Sequence, residues 1–344
     1  MNLVINRLSI FVKTPNKAMK FRTELNWKSS NIKLDYPSNL LFLGSCFAEN
    51  FGRKFKSLKF NSTINPSGII FHPIPIFKIL KRALKNQPYS ASDLVCRDKM
   101  NFSWLHHSQH FHENESILLS TLNAQNVNLQ NQLKTANYLF LTFGTAWGYE
   151  LKTNGEIVAN CHKLPSINFD KKLSSSTEIV NQGIELVELL QKENPSLKIV
   201  FSVSPVRHIK DGIIENSRSK AELISATHQI LEATTNTEYI PAYEWLIDDL
   251  RDYRFYGKDN VHPSEEAIEY IWEKLSQTLF DDATLKKIQT IQEILNAVNH
   301  KPFQVKSKGH QAFLKKIVSK IESQNSSMQN KLNNELEILN AQLI

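Results

Sequence analysis

Short apolar runs punctuate the chain at Leu40–Leu43, Tyr138–Phe143, Ile199–Val203 and Tyr239–Ile240. Runs that are continuously apolar, rather than alternating, predict strands buried on both faces. Around them the apolar positions take helical spacing. Ala48–Leu58 follows the first run. Ser176–Lys192, ending before Asn194-Pro195, leads into the third, and Ser217–Leu231 leads into the fourth. Pro263–Leu279 reads as a further helix with Pro263 in its first turn, where a missing N–H is tolerated. Strands alternating with amphipathic helices predict βαβ units and an α/β fold, a parallel sheet held between helices.

Two stretches depart from this pattern. Asn61–Gln125 carries Asn65-Pro66-Ser67-Gly68, His72-Pro73 and Pro75, then the aromatic and His-rich Trp104–His112. It is expected to form an inserted segment on one rim of the sheet, with a helix near Ile74–Lys85. After Asp281 the chain changes character. Leu285–Val298 reads as a helix. Phe313–Leu343 is polar, with Leu and Ile at helical spacing and no Gly or Pro. That spacing predicts one long helix, exposed or packed on a partner, and so a route to self-association.

Composition narrows the class. The 344 residues are 41% hydrophobic and 22% charged, the balance of a globular protein with ample core material. Collagen, disordered polyelectrolytes and disulfide-rich mini-proteins are excluded. The 41 Lys+Arg against 34 Asp+Glu give a net charge of +7. The basic residues are dispersed, so a solvated surface is expected and no nucleic-acid partner. Cys46, Cys96 and Cys161 form no CxxC pair, as a reducing compartment permits. No run has the length needed to span a bilayer, and the N-terminus lacks a continuous apolar signal core. A cytoplasmic protein with no membrane partner is expected.

Two segments can carry chemistry. Gly44-Ser45 follows the first apolar run and opens a helix, which places Ser45 at the carboxyl end of a strand, where open α/β sheets bind ligands. A helix N-terminus there favours developing negative charge. Taken alone, Ser45 reads better as an N-cap, a very common role. Far downstream, Asp259-Asn260-Val261-His262 stands just before a helix. A serine hydroxyl needs a base to take its proton, usually a His oriented by a carboxylate, and Asp-x-x-His supplies both. Gly-Ser after the first strand and Asp-x-x-His after the last, in that order, form a stronger signal than either alone.

This pair on this fold pattern resembles the SGNH (GDSL-like) hydrolase superfamily. Gly44-Ser45-Cys46-Phe47-Ala48 spells the name of the GSCFA family within it, and further stretches match that family's pattern. They are Met19–Glu24, Asn65-Pro66-x-Gly68, Gly144–Trp147, Ala159–Lys163, Ser204–His208, Leu250–Tyr256, His300–Phe303 and His310–Leu314. The resemblance implies an SGNH-hydrolase-like (flavodoxin-like) sheet over residues 19–280, a mobile N-terminal extension at 1–18 with Ile10 and Phe11 outside the core, and a C-terminal helical extension at 281–344.

It also implies roles. Ser45 takes the place of the nucleophile, His262 of the general base and Asp259 of its orienting carboxylate. Gly68 matches an oxyanion-donor glycine beside the Ser45 N–H. The family's oxyanion Asn falls on Ala146, so another donor is needed, and Asn65, Thr145, Asn160 and His162 are the candidates. The implied reaction is acyl-ester hydrolysis through an acyl-enzyme, on a small-molecule or carbohydrate ester, without a metal or cofactor. Transfer of the acyl group to another acceptor, or a degenerate site serving binding or assembly, are the alternatives.

The remaining features read more plainly. His106, His107, His110 and His112 are expected to line the pocket or face solvent rather than bind metal. Trp104 and Trp147 belong to the core by default. Arg207-His208, just past the third run, either lines the pocket and binds an anionic group or is an exposed strand end. Arg251, Asp252 and Arg254 are expected to form an ion-pair set supporting Asp259, and Cys46 to be a buried neighbour of Ser45.

Overall fold

The computed structural model describes residues 22–29 and 32–343; the extension at 1–18, with Ile10 and Phe11, lies outside them. The chain runs through β1 (Asn39–Gly44), α1 (Cys46–Ser57), β2 (Asn61–Ile64) and α2 (Pro73–Leu84). A small antiparallel sheet follows, β3 (Leu94–Arg97), β4 (Met100–Ser103) and β5 (Phe111–His112), and then α3 (Glu115–Thr135). After β6 (Tyr138–Phe143) comes a second small sheet of β7 (Trp147–Leu151), β8 (Ile157–Val158) and β9 (Phe169–Leu173). Next are α4 (Ser176–Glu193), β10 (Lys198–Val203), α5 (Ile213–Ala233), β11 (Thr237–Ile240), the single turn α6 (Ala242–Glu244) and α7 (Glu265–Leu279). The tail forms α8 (Asp282–Asn299), α9 (Lys308–Glu322), α10 (Ser326–Lys331) and α11 (Asn333–Asn340).

The central sheet is parallel throughout, in the order β11-β10-β6-β1-β2. Side chains alternate across it with the two-residue period of a strand. Leu40, Phe42, Tyr138, Phe140 and Val200 enter one core layer, with α1, α7, α8 and the tail. Leu41, Leu43, Leu139, Leu141, Phe201 and Val203 enter the other, with α2, α3, α4 and α5. The expected α/β sandwich is therefore present. Phe42 and Phe140 stack at 4.6 Å in the first layer, and a fully buried ring of this kind contributes about 2 kcal/mol or more.

Three features differ from the sequence reading. Asn61–Ile64 is a fifth strand, paired among the described residues with β1 alone; a polar edge strand carries no apolar signature. Pro263 lies outside the helix, in a bridge with Tyr256, and Ser264 caps α7 instead. The tail is not one long helix. It breaks after Glu322, and Asn325 caps the next helix by accepting from Met328 N–H. The break lets Leu314, Ile317, Ile321, Met328, Leu332 and Leu339 all reach the core of the first layer. Lys331 Nζ donates to Lys59 O and Asn61 Oδ1, so the tail also covers the β2 edge. No helix among the described residues is long and apolar enough to cross a membrane.

Candidate active site

The strand order fixes where a ligand belongs. From β1 the chain goes out to β2 on one side, and β6 returns on the other. The crevice of such a sheet opens at the carboxyl ends of those two neighbours. Gly44 ends β1 there, with φ +136°. A Cβ at Gly44 would stand 2.1 Å from Thr142 O on β6, so only glycine lets the chain cross the end of β6 so closely.

Ser45 comes next, fully buried and at the N-cap position of α1. Ser175, Ser264 and Ser307 hold the same position on their helices, and each accepts a hydrogen bond from an N–H of the first turn. Ser45 does not. Its Oγ is buried and has no hydrogen-bond partner among the described residues. An orphaned buried hydroxyl costs about 1–3 kcal/mol; Ser62 Oγ and Ser174 Oγ share that state, but neither holds an N-cap position at the end of β1.

The Asn65–Gly68 turn packs beside it. Asn65 Oδ1 accepts from Gly44 N–H at 2.9 Å, and its Nδ2 donates to Glu49 Oε2 at 3.2 Å. Burial opposes the Glu49 carboxylate, but hydrogen bonds from Arg53 and Asn65 outweigh it and lower its pKa. Gly68, at φ +80°, leaves no room for a Cβ, which would fall 2.2 Å from His107 Cβ. The Gly68 N–H is donated to Asn65 O at 2.8 Å and the Ser45 N–H to Thr142 O at 3.1 Å. Both nominated backbone oxyanion donors are thus engaged within the protein.

Asp259 and His262 stand on an exposed turn. Asp259 Oδ1 accepts the N–H groups of Val261 and His262, and Oδ2 meets His262 Nδ1 at 2.7 Å. That side-chain bond first, then the two N–H groups, hold the Asp259 carboxyl well below the usual carboxylate range. Gly257 N–H donates to His262 O and Arg207 N–H to Val261 O. The second bond ties the turn to the carboxyl end of β10. Arg254 pairs with Asp252, but Arg251 pairs with Asp248, outside the expected set, and none of them pairs with Asp259.

His208 and Lys220 connect the two segments. The His208 ring packs 4.8 Å from Phe71, and its buried Nε2, without a partner, lies 3.1 Å from where a Gly144 Cβ would be. Burial, then the Lys220 charge, then His262 push its pKa down to about 4. Lys220 is fully buried and donates to Gly144 O at 2.8 Å and Ser204 O at 2.7 Å, clamping the ends of β6 and β10. Burial lowers its pKa to about 7.

The other candidate donors are placed elsewhere. Thr145 Oγ1 bonds Ser219 Oγ and accepts from Trp147 N–H. Asn160 Oδ1 accepts from His162 N–H. His162 is buried in the rim, bonded to Ser108 Oγ and Ser103 O and stacked on Phe102. Of the four side chains, Asn65 is the one bonded to the Gly44-Ser45 turn. Cys46 is half-buried, and burial raises its thiol pKa.

The model of the GSCFA family matches residues 39–275, and that of the GSCFA domain protein C-terminal domain matches 291–344. The chain belongs to the GSCFA family. Its tail, which the structure packs into the sheet's core layer, is thus a recognised part of GSCFA proteins. Among curated proteins none matches. Of solved structures, this GSCFA chain is similar to one described as a proposed platelet activating factor from Streptococcus pneumonia. The TM-score is 0.35 at 12% identity, over 73% of this chain and 86% of that one. It is also similar to an acetyl xylan esterase from the rumen bacterium Butyrivibrio proteoclasticus, with TM-score 0.35 at 13% identity over 72% of this chain and 65% of that one. At these scores the fold assignment rests on the strand order.

Lys220 is the site residue that the sequence reading missed. The signal was present: Asn216, Ser219, Lys220, Leu223, Ala226, Thr227 and Ile230 are the buried positions of α5, and a Lys on that face requires an interior partner.

Proposed function

We propose that this GSCFA protein is an SGNH-type serine hydrolase acting on an ester or acyl group. The observation that carries the reading is the buried, unpartnered Ser45 Oγ at the β1/β6 crevice. An N-cap role would have satisfied that hydroxyl. In the proposed mechanism Ser45 Oγ attacks the acyl carbon, His262 Nε2 takes the hydroxyl proton, and Asp259 holds the imidazole through Nδ1 and favours the imidazolium. The proton then passes to the leaving alcohol, and water hydrolyses the seryl ester by the same path in reverse. In the state described, Ser45 and His262 are not hydrogen-bonded; such bonds are often long until substrate binds.

The oxyanion donors assigned to this site are the Ser45 N–H, turned from Thr142 O, and the Asn65 amide. Hydrolysis of p-nitrophenyl acetate tests the reading. Turnover by the wild type and its loss in Ser45→Ala is the expected result. Asp259→Asn should retain binding and lose turnover by about a hundredfold or more. The donated N–H groups of Ser45 and Gly68 favour a second reading, a degenerate binding module. Absence of turnover and of serine labelling together would select it.

A further inference from the structure

Arg207 differs from every other arginine among the described residues. The seven others each lie within ion-pair distance of a carboxylate, from Arg22 with Glu24 to Arg254 with Asp252. Arg207 has none. Its guanidinium is held instead by aromatic faces, 4.0 Å from the Tyr256 ring centroid and 5.1 Å from that of Tyr253. Tyr256 is buried and Tyr253 exposed, so the platform reaches from the interior to solvent. The Arg207 N–H donates to Val261 O at 3.2 Å, which fixes this residue to the turn bearing His262.

Lys220 lies at the same edge of the sheet, and His208 beside it is held neutral by burial. The nearby carboxylates are spoken for: Asp259 by His262, Asp211 by Lys171 and Asp248 by Arg251. A planar guanidinium that is stacked, oriented and lacking a carboxylate is preorganised to take one in bidentate fashion, and stacking keeps the fork in place before the ligand arrives.

We infer that Arg207 is an anion-recognition residue of this site, and that the ester taken there carries a carboxylate on its acyl group, as a dicarboxylic acid hemiester does. The inference rests on the hydrolase reading for the nature of the ligand. Its test reads binding alone, so the two fail separately.

The test uses the full chain with Ser45→Ala, which cannot turn over an ester. NMR titration compares monomethyl succinate with methyl butyrate, whose acyl groups have the same four carbons. The expected result is binding of the succinate ester at least about tenfold tighter, the scale of one charge-assisted hydrogen bond. That preference should vanish in Ser45→Ala/Arg207→Gln and survive in part in Arg207→Lys. With Arg207 intact, raising salt from about 50 to about 500 mM should shrink the preference, a readout that needs no second variant to fold. Equal binding of the two esters, a preference that persists in Arg207→Gln, or a preference indifferent to salt would overturn the inference. If the preference holds while the wild type neither turns over esters nor labels at Ser45, the anion site stands and the hydrolase reading falls.

Discussion

The two halves of the candidate site are built in opposite ways. The Ser45 half belongs to the sheet: Gly44, Ser45 and Asn65 are buried in the β1/β6 crevice, and their N–H groups are donated to Thr142, Asn65 and Phe42. The His262 half is a turn whose Asp259 and His262 side chains are each 51% exposed. It is organised by its own carboxylate and anchored to the body through Arg207 N–H and the Tyr256–Pro263 bridge. The difference assigns the work. In the proposed mechanism a buried nucleophile would be aimed by strands and an exposed acid–base pair would keep access to solvent and substrate, so the larger movement falls to the outer half, while the inner half has only to release the Ser45 N–H from Thr142 O.

The largest way to break this contrast is acid. His72, His106 and His208 are held neutral by burial, with pKa values pushed down from 6.5 to about 4, 3 and 4. A folded value below the unfolded one means stability fully present above pH 6.5 and lost as pH falls through the folded value. Each imidazole gives up about 1.4 kcal/mol per pH unit across that window. Asp259 titrates lower than an ordinary carboxyl and keeps its charge there. Thermal melts between pH 7 and pH 4 should therefore show the body losing stability while the Asp259–His262 turn keeps its hydrogen bond by NMR. A melting temperature that is flat over this range would contradict the assignment.

Glycine substitutions come next and address the halves separately. Gly44→Ala should cost about 3 kcal/mol or more in urea unfolding, because it combines a positive φ with a contact at 2.1 Å. Gly257→Ala, in the outer half, meets nothing closer than 3.6 Å and should stay within about 1 kcal/mol. Equal costs would erase the distinction between a rigid half and a tolerant one. Lys220→Met lies between them in size. It strips the donor from Gly144 O and Ser204 O, and a loss of about 2 kcal/mol in the same assay is expected.

The same contrast explains what was legible in the sequence. The buried strands announce themselves as apolar runs, and each was read within a residue or two. Strand-end position and spacing single out Ser45, Asp259 and His262; Ser45 directly follows β1, and the Asp259–His262 turn is tied to Arg207, just past β10. What escaped was structure held by few apolar contacts. β2 is Asn-Ser-Thr-Ile on an edge. The α3 helix is rich in Asn and Gln and buries mainly Leu118, Leu122, Leu129 and Leu133, a narrow stripe that periodicity hides. The tail's division into three helices depends on Asn325 acting as a cap, where an uninterrupted helical pattern also fits. Thr145, Asn160 and His162 were credible donors by type, but their bonds to Ser219, to a backbone N–H and to Ser103 are tertiary facts.

The central claim is that Ser45 is a nucleophile served by the Asp259–His262 pair, and labelling by a fluorophosphonate tests it most directly. The wild type, Ser45→Ala and His262→Gln would be treated with the probe, the adduct mapped by mass spectrometry and the rate of labelling followed. The account predicts a single adduct on Ser45, none in Ser45→Ala, and labelling of His262→Gln slowed by about a hundredfold or more. An unlabelled Ser45 in the folded wild type, or a rate unchanged by His262→Gln, would contradict it.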